Sequence, residues 1–366
     1  MLEKKPAAFE TAIREMLDSS RLLRNVYFFH DIRVICQANH PSILGILDEM
    51  LGMFAPPQQV RGELSYYVLC HESAGDFPAR LPHTRRRMDT IRLLTNTQLK
   101  HYVSMDDTTE YQNYRELRPI NGNALSVLSR LEPVALTQLE MPEAYQRTFL
   151  RRYVFLLALG QLLGQFGFEP CHAAAITAPW DCRQGALIIG ESGSGKTTLS
   201  LSCAVEGYGL LGDDLVMLRE SQDDGKIEAY AITHEVSARS HTLTLLKNLS
   251  FLYDYPVDQR DKRFFGIEQV RAGAGCLQTP VRLLLFPSLT AASTSKARRL
   301  SKADTLQMLI DLCMSAGNNA SYAQEKLFHL LSRLAEQAPG YQLEIACDIN
   351  DGPQLIRSLF AGESYD

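Results

Sequence analysis

Gly190-Glu191-Ser192-Gly193-Ser194-Gly195-Lys196-Thr197 is the stretch on which the reading of this chain turns. It fits the pattern G-x-x-x-x-G-K-[ST], in which each position answers a physical need. The glycines let the backbone turn with its N–H groups inward, where they cradle phosphate oxygens. Lys196 brings positive charge to the β- and γ-phosphates, and the Thr197 hydroxyl suits Mg2+. Glu191, Ser192, Ser194 and Thr198 complete the nucleotide-contacting set, the serines being small residues that fit a tight loop. The flanks agree: Ala186-Leu187-Ile188-Ile189 reads as a buried strand, and 198–206 as a helix stopped by Gly207. Strand, loop and helix together predict a nucleoside-triphosphate site with the helix N-terminus facing the phosphates.

Downstream, Gly212-Asp213-Asp214-Leu215 places two carboxylates just beyond that helix. A chain that leaves the helix at Gly207 and returns along the sheet brings them back toward the phosphates. Two carboxylates there suit two tasks, holding the metal–nucleotide complex and accepting a proton from an attacking hydroxyl. Other nucleotide-binding classes lack their marks. There is no LSGGQ-type motif, and the apolar strand Leu283-Leu284-Leu285-Phe286 runs into Pro287-Ser288 without a carboxylate, unlike transporter ATPases. No N-K-x-D motif of small GTPases occurs.

His172, the loop GESGSGKT, and Gly207-Tyr208-Gly209-Leu210-Leu211-Gly212-Asp213-Asp214 together resemble the catalytic domain of the HPr serine kinase/phosphorylase family. Its fold is related to ATP-dependent phosphoenolpyruvate carboxykinase. The resemblance is strong over about 170–220 and looser to the end of the chain. It implies an α/β phosphate-loop catalytic domain with ATP and Mg2+ as cofactors. Lys196, Asp213, Asp214 and His172 are then the catalytic set, with Thr197 and Asp214 as metal-ligand candidates. The two aspartates divide base and metal duties, and the sequence does not say which takes which. His172 lies near the reacting phosphate, and Lys262 and Arg263 are candidates for stabilising the transferring phosphoryl group. The chain departs from the family in having Thr197-Thr198 after the lysine and no match to its Gly-rich E-[IVL]-R-G segment. HPr as substrate, the reverse reaction and hexameric assembly are therefore not carried over.

The remaining chain predicts an N-terminal α+β accessory domain over 1–141 and the catalytic domain over 142–366. In the first, Ala7–Arg24 and Pro41–Phe54 read as helices. Val26–Phe29, Ile32–Cys36, Leu64–Cys70, Thr90–Leu94 and Lys100–Met105 read as strands. A helical stretch from Pro142 to Gln165 leads into the second domain. A net charge of −5 gives no general attraction to nucleic acid or anionic membrane, and Arg85-Arg86-Arg87 reads as a solvated run. The eight cysteines form no C-x-x-C pair and read as core residues of a reducing compartment, Cys171 and Cys182 being the ones open to redox chemistry. His234, Glu235 and His241 lack metal-ligand helix spacing. No secretory signal or membrane span is read, so a cytoplasmic protein, with a homo-oligomer open, is expected. The functional expectation is an ATP-dependent kinase acting on a hydroxyl of a protein or peptide. The alternatives are a small-molecule kinase on the same scaffold and a non-enzymatic ATP sensor.

Overall fold

The alternation of Ile32, Val34, Cys36 and Ala38 with more exposed neighbours sets the first sheet, because successive strand residues face opposite sides. In the computed structural model, the described residues are 14–15, 17–18, 20–72, 114–117, 124–129, 132–141, 147–258, 261–314, 321–346, 348 and 350–362. They fall into two units, Met1–Phe168 and Glu169–Asp366, each mixed α/β. The strands read over 90–94 and 100–105 and the arginine run 85–87 lie outside the described residues, as does half of the opening helix, of which 14–15 and 17–18 are helical. Its last two residues, Leu23 and Arg24, instead begin β1.

The first unit comprises β1 (Leu23–Phe29), β2 (Ile32–Ala38), α1 (Pro41–Leu51), β3 (Gly62–His71), β4 (Tyr114–Leu117), β5 (Ala124–Ser129), β6 (Val134–Glu140) and α2 (Leu156–Leu163). Its sheet runs β1-β2-β3-β6-β5-β4, with β2, β3 and β6 parallel. Helix α1 starts at Pro41, where a missing N–H costs nothing, and His40 Nδ1 accepts from Ser42 N at 3.3 Å. Ile43, Ile46, Leu47, Met50 and Leu51 form its buried stripe, each contributing about 1.5–3 kcal/mol, which outweighs intrinsic propensity. Helix α2 buries Ala158, Leu159, Leu162 and Leu163 and packs on β5 and β6. The helical stretch read as the start of the second domain thus groups with the first unit, and the division falls at 168/169 rather than 141/142.

The second unit holds β7 (Glu169–Cys171), β8 (Ala173–Ala178), β9 (Asp181–Ile189), α3 (Lys196–Val205), β10 (Gly209–Gly212), β11 (Val216–Glu220) and β12 (Ile227–Tyr230). Next come β13 (Glu235–Arg239), α4 (Ser240–Leu245), β14 (Lys262–Gly266), β15 (Gln278–Leu289), β16 (Lys296–Arg299), α5 (Lys302–Leu309), α6 (Ser321–Gln337), β17 (Gly340–Ile345) and α7 (Asp351–Ala361). The large sheet runs β10-β8-β9-β15-β12-β11-β7, with β17 beside β15, and β13 and β14 form a separate two-stranded ladder. Strands β9, β15 and β17 are parallel, and the apolar runs Leu187-Ile188-Ile189 and Leu283–Phe286 are buried.

Register decides what meets at the strand ends. Antiparallel pairing of Ala173 with Ile189 puts the start of β8 beside the end of β9, where the glycine loop begins. Ala175 pairs with Gly212, and Cys171 pairs with Val216. These pairs share one register, so 172–174 runs opposite 213–215. His172, the loop and the Asp pair therefore gather at one sheet end. No helix among the described residues is long and apolar enough to cross a membrane.

Candidate active site

The loop 190–195 leaves β9 and enters α3 without a side-chain cap, so the first N–H groups of α3 are not claimed by a capping residue. Gly193 and Gly195 hold φ of 92° and 96°, which L side chains rarely adopt. A Cβ on Gly195 would also lie 3.0 Å from Leu289 Cδ2, at the end of β15. Within the turn, Ser194 N donates to Glu191 O at 3.2 Å. Lys196 Nζ donates to Gly190 O at 2.5 Å and to Glu191 O at 2.9 Å. An ammonium has three donors, so one is left for a further acceptor. Burial pushes the Lys196 ammonium below its ordinary range, and the Asp214 carboxylate opposes that shift.

The two aspartates have different surroundings. Asp213 is buried, and its Oδ2 accepts from Thr197 Oγ1 at 3.4 Å, Ser237 Oγ at 3.2 Å and Ser237 N at 3.3 Å. Asp214 is more open: Oδ1 lies 3.3 Å from His172 Nδ1 and Oδ2 lies 3.5 Å from Lys262 Nζ. Burial lowers the His172 pKa, while the Asp214 carboxylate works to raise it. The carboxylate beside Thr197 is therefore Asp213, whereas the sequence reading grouped Thr197 with Asp214 as metal-ligand candidates. Thr198 sits one residue on, its hydroxyl 3.0 Å from Thr242 Oγ1 on α4. Glu191 and Ser192 lie on the exposed crest of the loop.

Thr197 Oγ1 and Asp213 Oδ2 offer two hard oxygen donors. Among the described residues no group of three or more His, Cys, Asp or Glu is gathered as a metal site. That pairing suits Mg2+, which binds through one or two protein oxygens and takes its other ligands from phosphates and water.

Ser237 was not singled out by sequence reasoning. The signal available was alternation along β13: Val236 and Ala238 are buried and apolar, while Glu235, Ser237 and Arg239 share the other face. The same rule separates Lys262 from Arg263. Lys262 reaches Asp214, whereas Arg263 turns the other way, donating to Ser240 Oγ at 2.9 Å with its guanidinium 5.4 Å from the Tyr253 ring centroid. Of the cysteines flagged for redox chemistry, Cys182 is exposed. Cys171 is buried 3.7 Å from Cys313 Sγ, and that contact together with burial pushes its thiol well above the ordinary range.

No protein-family model matches the chain, and no curated protein matches it. Among solved structures it is similar to the Hpr(Ser) kinase/phosphatase from Coxiella burnetii, at 14% identity and a TM-score of 0.31. The likeness covers 53% of this chain and 89% of that one, and at this score it fixes neither fold nor function.

Proposed function

We propose that the second unit is an ATP-dependent phosphotransferase that moves the γ-phosphoryl group to the hydroxyl of a protein or peptide acceptor. The observation that carries this reading is the division of the acidic pair. Asp213 lies against Thr197 at the start of α3, and Asp214 lies outside it between His172 and Lys262. In this reading one carboxylate helps to hold a cation and its neighbour takes a proton.

In this scheme the N–H groups of the loop and of the first turn of α3 orient the triphosphate, and Lys196 Nζ donates to its β/γ oxygens. Thr197 Oγ1 and Asp213 Oδ2 would hold Mg2+, which when bound neutralises charge on the β- and γ-phosphates. Ser237 keeps the Asp213 carboxylate turned toward Thr197. His172 Nδ1, 3.3 Å from Asp214 Oδ1, steadies that carboxylate, which stays unprotonated. The acceptor O–H gives its proton to Asp214 as its oxygen forms a bond to the γ-phosphorus. The bond from that phosphorus to the β–γ bridging oxygen breaks, and ADP leaves with the electron pair. Lys262 offsets negative charge at the transferring group.

The test is incubation of the full chain with γ-labelled ATP, Mg2+ and an extract of the source cells, beside Lys196→Ala and Asp214→Asn. Label reaching a protein or peptide with the native chain, and with neither variant, is the expected result. Label reaching only metabolites would move the reading to a small-molecule kinase. ATP binding with no labelled product would make the protein a sensor.

A further inference from the structure

Among the described residues, one cation of this ladder has no side-chain partner. Arg239 and Lys262 are directly opposed in the β13–β14 ladder. Opposed residues of an antiparallel pair share a face, and like charges so placed are destabilising. Lys262 is balanced by Asp214. Arg239 is exposed, and its side chain makes no hydrogen bond or ion pair with the described residues. It stands two residues from Ser237 and so on the same strand face, the face from which Ser237 Oγ reaches Asp213 and Lys262 reaches Asp214. An unfavourable Arg–Lys pair beside a gathered set of polar groups is the kind of local cost that functional sites carry.

We infer that Arg239 recognises the acceptor, and that the acceptor bears an anionic group, carboxylate or phosphate, next to its reacting hydroxyl. This rests on the phosphotransferase reading and names the substrate class within it. Lys196 and Lys262 face the phosphates and Asp214 in that reading, which leaves Arg239, among the described residues of this strand face, open to a second anion. A guanidinium is suited to that task, because its fork of donors meets both oxygens of a carboxylate or phosphate.

Calorimetry on the full chain, saturated with a non-hydrolysable ATP analogue and Mg2+, tests it. The small-molecule probes are glycerate and glycerol 3-phosphate against neutral glycerol. The peptide probes are a serine pentapeptide flanked by glutamates and one flanked by glutamines. An anionic probe is expected to bind the native chain, with the small-molecule and peptide arms identifying its source. Loss of one charge-assisted contact in Arg239→Ala should weaken that binding about tenfold or more, with Arg239→Lys between the two. The inference is overturned if no anionic probe binds the native chain, or if Arg239→Ala binds it as well as the native chain does. Failure of the underlying reading looks different: the ATP analogue would not bind at all, or would bind Lys196→Ala equally well.

Discussion

Replacing Ser237 with alanine separates a metal-side role for Asp213 from a purely structural one. Ser237 is 1% exposed and gives Asp213 Oδ2 two donors, its Oγ at 3.2 Å and its backbone N at 3.3 Å. The substitution removes the first and leaves the second. A hydrogen bond to a charged acceptor contributes about 1.5–3 kcal/mol, and the length of this one favours the lower end. At about 1.4 kcal/mol per decade, that is roughly a tenfold loss of preference for the oriented carboxylate. Groups that orient metal ligands typically change metal affinity about 10–100-fold when removed. The Mg2+ midpoint for binding a fluorescent ATP analogue should therefore rise about tenfold in Ser237→Ala. Binding at saturating Mg2+ should be largely retained, since the loop and Lys196 are untouched. Asp213→Asn, which removes the charge itself, should shift the midpoint further. A midpoint in Ser237→Ala within about twofold of the native value, in a chain that melts normally, would refute the assignment, since twofold is only about 0.4 kcal/mol.

Asp214→Asn should leave the Mg2+ midpoint for nucleotide binding near native and lower phosphoryl transfer about 10²–10⁴-fold, the span of general-base catalysis. Equal effects of Asp213→Asn and Asp214→Asn on both readouts would remove the division of labour. Gly193→Ala places a side chain at φ 92° with nothing within 4 Å of its Cβ, so backbone strain alone should cost about 1–2 kcal/mol in denaturant unfolding. Gly195→Ala adds the Leu289 contact and should cost more, the excess being relieved by Leu289→Ala. Burial lowers the pKa of both His172 and His234, so the unfolded chain takes up protons first on acidification. The associated stability is present above about pH 6.5 and is lost as pH falls through the folded-state values. Melting temperature should drop over that window, and less steeply in His172→Gln. A melting temperature that rises there on acidification would contradict the lowered pKa of both rings.

The loop and the Asp pair were legible because their spacing is local: strand, glycines, lysine, helix and Gly207 follow one another along the chain. What the sequence withheld depends on pairing between distant segments. That His172 meets Asp214 needs β7–β11 and β8–β10 to hold one register, and β7 and β10, at three and four residues, are too short for periodicity to reveal. The β13–β14 ladder was missed for a related reason. Val236-Ser237-Ala238 has little amphipathic contrast, and 260–263 looks like a charged loop because its charges are adjacent in sequence. Pairing resolves that cluster into faces, sending Lys262 toward Asp214 and Arg263 under Tyr253, and it sets Arg239 beside Lys262 although 23 positions separate them in the chain. The helix over 147–166 shows the same limit at larger scale. Its apolar residues declare that it is buried, but which sheet it covers is decided by β5 and β6, whose sequence carries no mark of that choice. Chemistry confined to one turn of chain is thus readable from residues alone, while a site closed by a second hairpin becomes readable only once strand register is known.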